Sequence, residues 1–169
     1  MQREVRTAGA TTSASSHSQE AEHQAEKYLT FRMGADVFSV PFARVREIMG
    51  IQEIKVVAEP PVFLKGVINL RGRIVPVVDL RLKFGLPERG YNSRTCIIVV
   101  QIEDLQLRSP TAEKLTMGLV VDSVAEVLTL RASDIQNGVV RSKGKIRTLL
   151  NLDVLFSTEE MRSLVAACF

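Results

Sequence analysis

Few residues of this chain could do chemistry, and their positions restrict it further. The only histidines, His17 and His23, fall within the first 26 residues. That stretch is rich in Ala, Ser, Thr and Gln and cannot bury enough apolar surface to order itself, so residues 1–26 read as a disordered tail. The folded part then holds no histidine, which excludes Ser-His-Asp and Cys-His catalysis and a histidine-rich metal site. The run from Gly138 to Lys145 looks like a phosphate loop, but five residues separate Gly138 from Gly144 instead of four. Ile146 also stands where Ser or Thr should bind magnesium, and a hairpin turn accounts for the glycines. Asp79 and Asp122 each follow an apolar strand and could serve as an acid–base pair or as caps. Glu47 and Arg71 could pair through two bonds of the planar guanidinium, or stand as independent surface charges. Cys96 and Cys168 offer no framework spacing, which points to a reduced, cytoplasmic protein. No cofactor or metal is implied.

The charge balance points the same way. The chain of 169 residues carries 22 basic and 19 acidic side chains, and the tail is net acidic, which leaves the rest at +5. With tryptophan absent and aromatics at 5%, stacking platforms for nucleic acid are scarce. A basic double-barrel nucleic-acid-binding protein is the alternative reading, suggested by a pI near 9.1. No apolar run approaches the roughly 18 residues of a membrane span, and no leader pattern opens the chain.

The elements that must position these groups are mostly short strands. Segments 28–31, 37–40, 67–70, 74–80, 97–102 and 117–121 are rich in β-branched and aliphatic residues, with Gly- and Pro-containing turns between them. Val45, Ile48 and Met49 at i, i+3 and i+4 predict one short helix near 42–49. Pro60 and Pro61 impose an extended link. At the C-terminus, Ser157 and Glu160 form a capping-box pattern opening a helix over 158–167. Phe156 and Met161 would staple it, and Met161, Leu164, Val165 and Cys168 would line one face.

An internal repeat organises these elements. Shifted by 72 residues, 66–84 lands on 138–156: Gly66 meets Gly138, Gly72 meets Gly144, Ile74 meets Ile146, Leu80 meets Leu152 and Phe84 meets Phe156. Shifted by 79, Phe38-Ser39-Val40 meets Met117-Gly118-Leu119, and Val45-Arg46-Glu47-Ile48 meets Val124-Ala125-Glu126-Val127. The order strand, bend, Val-x-Glu-aliphatic, hairpin occurs twice, so the chain is a duplicated β-module joined by 85–95. Modules of this size close into small barrels to remove exposed edges. Asp79 meets Asn151, which favours caps over catalysis because an amide cannot act as a base. Glu126 and Lys143 would be the second-copy counterpart of Glu47 and Arg71. Pro76 meets Thr148, so the first barrel is expected to open or bulge at that strand.

The run Gly66-Val67-Ile68-Asn69-Leu70-Arg71-Gly72-Arg73-Ile74-Val75-Pro76-Val77-Val78-Asp79-Leu80 resembles the hallmark of CheW, the bacterial chemotaxis coupling protein family. Val45-Arg46-Glu47-Ile48 and Gly118-Leu119-Val120-Val121-Asp122-Ser123-Val124 resemble its other two motifs, and the likeness spans 26–164. It implies a mainly β fold of two linked five-stranded SH3-like barrels. The CheW-like domain would run over 27–167, with a first repeat at 28–85 and a second at 95–156. It also implies a non-enzymatic adaptor that joins the cytoplasmic tip of transmembrane chemoreceptors to the regulatory domain of the histidine kinase CheA. Such an adaptor works in membrane-associated arrays, beside other coupling proteins, with no direct membrane insertion and no nucleic acid. The receptor-binding groove would involve Val45, Glu47, Ile48 and Arg71, the last salt-bridged to Glu47. Kinase contacts would involve Val121, Val124 and Val127. One departure stands out at 134–138, where the family usually has a longer, proline-rich connection and an extra strand start.

Overall fold

Two-residue turns with positive φ at both central positions set the hairpins: Arg71-Gly72 (φ 51° and 82°), Asn137-Gly138 (51° and 73°) and Lys143-Gly144 (52° and 70°). Turns of this hand match the twist of the strands they join, and glycine at the second position adopts it without a Cβ penalty. The computed structural model describes residues 25–103 and 114–169, so the expected tail falls almost wholly outside the described residues. The strands are β1 (Glu26–Met33), β2 (Asp36–Pro41), β3 (Val45–Gly50), β4 (Leu64–Leu70), β5 (Arg73–Asp79), β6 (Cys96–Ile102), β7 (Leu115–Val121), β8 (Ser123–Leu130), β9 (Ile135–Gln136), β10 (Val139–Ser142) and β11 (Lys145–Leu149). Among the described residues two helices, α1 (Leu80–Lys83) and α2 (Thr158–Cys168), complete the fold with three 3-10 turns.

The fold is mainly β, built from two sheets of the SH3-like barrel kind. One has the order β8-β1-β2-β11-β10-β9 and the other β3-β6-β7-β5-β4. The sequence repeats and the sheets do not coincide. Strands β1 and β2 of the first copy pair with β8 and β11 of the second, while β6 and β7 of the second pair with β3 and β5 of the first. Each ladder has an image in the other sheet: antiparallel β3–β6 matches β8–β1, and parallel β5–β7 matches β11–β2. The two copies have exchanged their hairpins, so neither sheet forms from one copy alone.

Because strands β1, β6 and β7 are buried on both faces, the core has three parts. Each barrel has its own interior: Ile68, Val75, Val77, Ile97, Val99 and Val120 in the five-stranded one, and Tyr28, Leu128, Leu130 and Val140 in the other. Between the sheets lies the largest cluster, which includes Leu29, Phe31, Ile98, Val100, Leu119, Phe156 and Met161. Helix α2 closes this layer with Leu164, fully buried, and Val165 and Cys168 packed against it. Its capping box is as the sequence predicts: Glu160 N–H donates to Ser157 Oγ at 3.1 Å, and Ser157 N–H donates to Glu160 Oε1 at 3.0 Å.

The helix predicted near 42–49 is absent beyond one 3-10 turn at Phe42–Arg44, and Val45–Gly50 is strand β3. The reason is a bulge between Val45 and Glu47. It puts Val45 opposite Val100 and Ile48 opposite Ile98, both on the between-sheet face. Glu47 and Met49 oppose Val99 and Ile97 on the barrel-interior face. Apolar residues three apart therefore share a face in a bulged strand, which mimics helical spacing.

Strand β5 accommodates Pro76 without opening. Val67, its partner, sends its N–H and C=O to Lys55 at 2.8 and 2.9 Å, so Val67–Pro76 is a non-hydrogen-bonded pair that needs no donor from the proline. The bulge in this hairpin lies on the facing strand, between Leu64 and Gly66. The strand start expected to be missing at 134–138 is present as β9, where Gln136 pairs with Val139. The bridge between Lys55 and Val67 is its first-copy image.

Candidate partner-binding site

The β4–β5 turn lifts Arg71 toward β3. Asn69 Oδ1 accepts from Gly72 N–H at 2.9 Å and holds the turn. Strands β3 and β4 are the two outer strands of the five-stranded sheet, so a contact from the turn to β3 spans its edges. The Arg71 guanidinium makes that contact, with Nη2 3.3 Å from Glu47 Oε2 and 3.4 Å from Oε1. The Arg71 side chain is 79% exposed and that of Glu47 30%. Such a pair adds little stability in water, so its groups stay available to a partner.

The other two groove residues, Val45 and Ile48, share the between-sheet face of β3. Ile48 is exposed at 42%, on the side of β3 that looks between the sheets, and Val45 packs against the between-sheet core. Arg44 anchors the start of this strand by donating to Asp153 Oδ2 at 2.8 Å and to the Gln101 carbonyl at 3.1 Å. Hairpin residue Ile74 is also exposed. The structure thus brings Glu47 and Arg71 together and sets Ile48 and Val45 on the adjoining face of the same edge strand.

The three valines predicted for kinase contact separate by depth. Val121 is 1% exposed and belongs to the core, where it cannot form a surface contact; Val124 packs against that core. Val127 is the surface residue of the three, exposed at 49% and equivalent by repeat to Ile48.

Glu126 does not pair with Lys143 as the repeat suggests. Its Oε1 accepts from Arg147 Nη2 at 3.0 Å, and the Arg147 side chain is only 4% exposed. Arg147 also donates to the Ser142 carbonyl at 3.3 Å. Sequence reasoning missed this residue, although an arginine where the first copy has Val75 was the available signal.

Asp79 and Asp122 are engaged structurally. Asp79 caps α1 by accepting from Arg81 N–H at 2.9 Å, and it accepts from the Tyr91 hydroxyl at 2.9 Å. Asn151 makes the equivalent cap, accepting from Asp153 N–H at 3.0 Å. Asp122 takes both forks of Arg81 at 2.6 Å and the Gly34 N–H at 2.7 Å. The Arg81 bonds hold its carboxyl below the usual range, against the opposing effect of burial. Among the described residues no group of three or more His, Cys, Asp or Glu is placed to hold a metal, and no helix is long and apolar enough to cross a membrane.

Comparison with known proteins bears on the family and the fold. The family model for the CheW-like domain matches residues 27–156. The chain is 31% identical over 150 residues to the chemotaxis protein CheW of Klebsiella aerogenes, covering 80% of this chain and 84% of that one. It is 32% identical over 146 residues to the chemotaxis protein CheW of Rhizobium meliloti, covering 78% and 88%. In structure it is similar to the scaffolding protein TtCheW from Thermoanaerobacter tengcongensis, with a TM-score of 0.68 and 27% identity over 81% of this chain and 96% of that one. The chain therefore belongs to the CheW-like family, the non-catalytic scaffold proteins of chemotaxis.

Proposed function

We propose that this protein couples transmembrane chemoreceptors to the histidine kinase CheA, working at the cytoplasmic face of membrane-associated arrays. The observation that carries the reading is the Glu47–Arg71 pair, exposed across the two edges of one barrel and flanked by the exposed Ile48. A receptor helix would lie along this edge, its apolar side on Ile48 and Val45 and its polar side on Arg71 and Glu47, in the manner of helix-in-groove recognition. The CheA regulatory domain would meet the opposite barrel at the edge strand β8, where Val127 is exposed and Val124 supports it. Holding both partners at once raises the effective concentration of each for the other, so kinase output follows geometry without chemistry in the adaptor. Contacts with other coupling proteins would extend the array.

The test is reconstitution: the purified protein is titrated into CheA and a receptor cytoplasmic fragment, and ATP-dependent autophosphorylation is read. A rise that requires all three components supports coupling. Binding to the kinase without activation overturns the receptor assignment, and no binding to either partner overturns the whole reading.

A further inference from the structure

A cavity of about 200 Å³ lies at the Asp79 end of β5, the end away from the hairpin turn of Arg71, beneath the segment that joins the two sequence copies. It is lined by four arginines, Arg32, Arg81, Arg89 and Arg94, against two carboxylates, Asp79 and Asp122. Arg81 and Asp122 satisfy each other through two bonds of 2.6 Å. Asp79, 1% exposed, is occupied by Arg81 N–H and the Tyr91 hydroxyl. Burial first, and the Asp79 charge second, push the Tyr91 phenol up, so it remains a neutral donor at physiological pH. Among the described residues no ion pair engages Arg32, Arg89 or Arg94. The cavity therefore keeps a net positive lining after its internal pairs are counted.

The connecting segment above the cavity is tied down at three points. Arg81 Nη1 donates to the Pro87 carbonyl at 3.1 Å, Lys65 pairs with Glu88, and Asn92 N–H donates to Thr95 Oγ1 at 3.0 Å. A cleft lined by one sign of charge concentrates the opposite ion, and the guanidinium fork matches phosphate oxygens two at a time. We infer that this cavity binds a small phosphate, as the free anion or a phosphomonoester, through Arg32, Arg89 and Arg94. The cavity is distinct from the Glu47–Arg71 edge, so the inference does not rest on the coupling function.

The probe is inorganic phosphate, titrated into the full chain in phosphate-free buffer while backbone amide resonances are followed. Saturable shifts at Gly34, Gly90 and Ser123 are expected. The double variant Arg89→Gln/Arg94→Gln should weaken binding at least tenfold, and Arg162→Gln on the exposed face of α2 should leave it unchanged. Shifts that rise without saturating, or equal affinity in the double variant and the Arg162 control, would overturn the site. Vesicles containing phosphatidic acid present the same group on a membrane surface. Sedimentation with vesicles in a protein that does not bind free phosphate would also overturn it.

Discussion

The two barrels share a strand plan but not an interior. At repeat-equivalent inward positions the five-stranded sheet carries Val99, Gly118 and Val75, and the six-stranded sheet carries Thr30, Ser39 and Arg147, all of them buried. The polar set is stitched to the edge strand: Thr30 Oγ1 donates to the Glu126 carbonyl at 2.9 Å and accepts from Glu126 N–H at 3.0 Å, while Arg147 takes the Glu126 carboxylate. In the apolar barrel, where Val75 stands in place of Arg147, the equivalent glutamate Glu47 meets the exposed Arg71 instead. One copy of the Val-x-Glu motif thus holds a buried arginine, and the other meets an arginine on the surface. Duplication followed by a change in lining separates a structural from a surface role without changing the backbone.

The comparison can be broken hardest at the paired glycines. A Cβ at Gly66 would lie 2.1 Å from the Lys55 carbonyl oxygen, whereas Gly138 has open space around it and only its positive φ to consider. Gly66→Ala should cost about 3 kcal/mol or more, and Gly138→Ala about 1 kcal/mol, by denaturant unfolding. Next come the two glutamate–arginine pairs. Glu126→Ala strands the buried Arg147 charge and should cost about 2–3 kcal/mol, while Arg71→Ala should change stability by less than about 0.5 kcal/mol. Equal costs would mean that the two pairs do the same work.

Smaller effects sharpen the contrast between linings. Thr30→Val removes both bonds to Glu126, and Val99→Thr buries a hydroxyl where the neighbouring side chains are apolar. Each should lower stability by about 1–2 kcal/mol, so the interiors do not interchange. Ser39→Ala should act in the other direction: its Oγ is buried without a hydrogen-bond partner among the described residues, and removal should stabilise by about 0.5–1 kcal/mol in thermal melts.

How much of this was legible in the sequence depended on the range of the interaction. Hairpin glycines, the Ser157–Glu160 capping box and the aspartate and asparagine caps rest on neighbours in the chain, and they are where the residues place them. The duplication was visible as matched spacing, but the exchange of strands between copies was not, because pairing partners such as Phe31 and Val124 lie far apart in sequence. Strand β3 was misread because its bulge moves Ile48 onto the face of Val45, a shift no local periodicity reports. For the candidate site, the motif residues Glu47 and Arg71 were in hand, while their contact needed the curl that brings the sheet edges together. Val121 illustrates the converse: a motif residue can owe its place to the core alone.

Repeat-equivalent charge reversals test the division of roles most directly. Arg71→Glu and Lys143→Glu change the same position of the same turn in the two copies. They would be compared with the unaltered protein in the reconstituted receptor–CheA kinase assay, with thermal melts alongside. The account predicts that Arg71→Glu loses receptor-dependent activation while its melting temperature holds, and that Lys143→Glu retains activation. Equal activity of the two variants, or loss in Lys143→Glu alone, would contradict it.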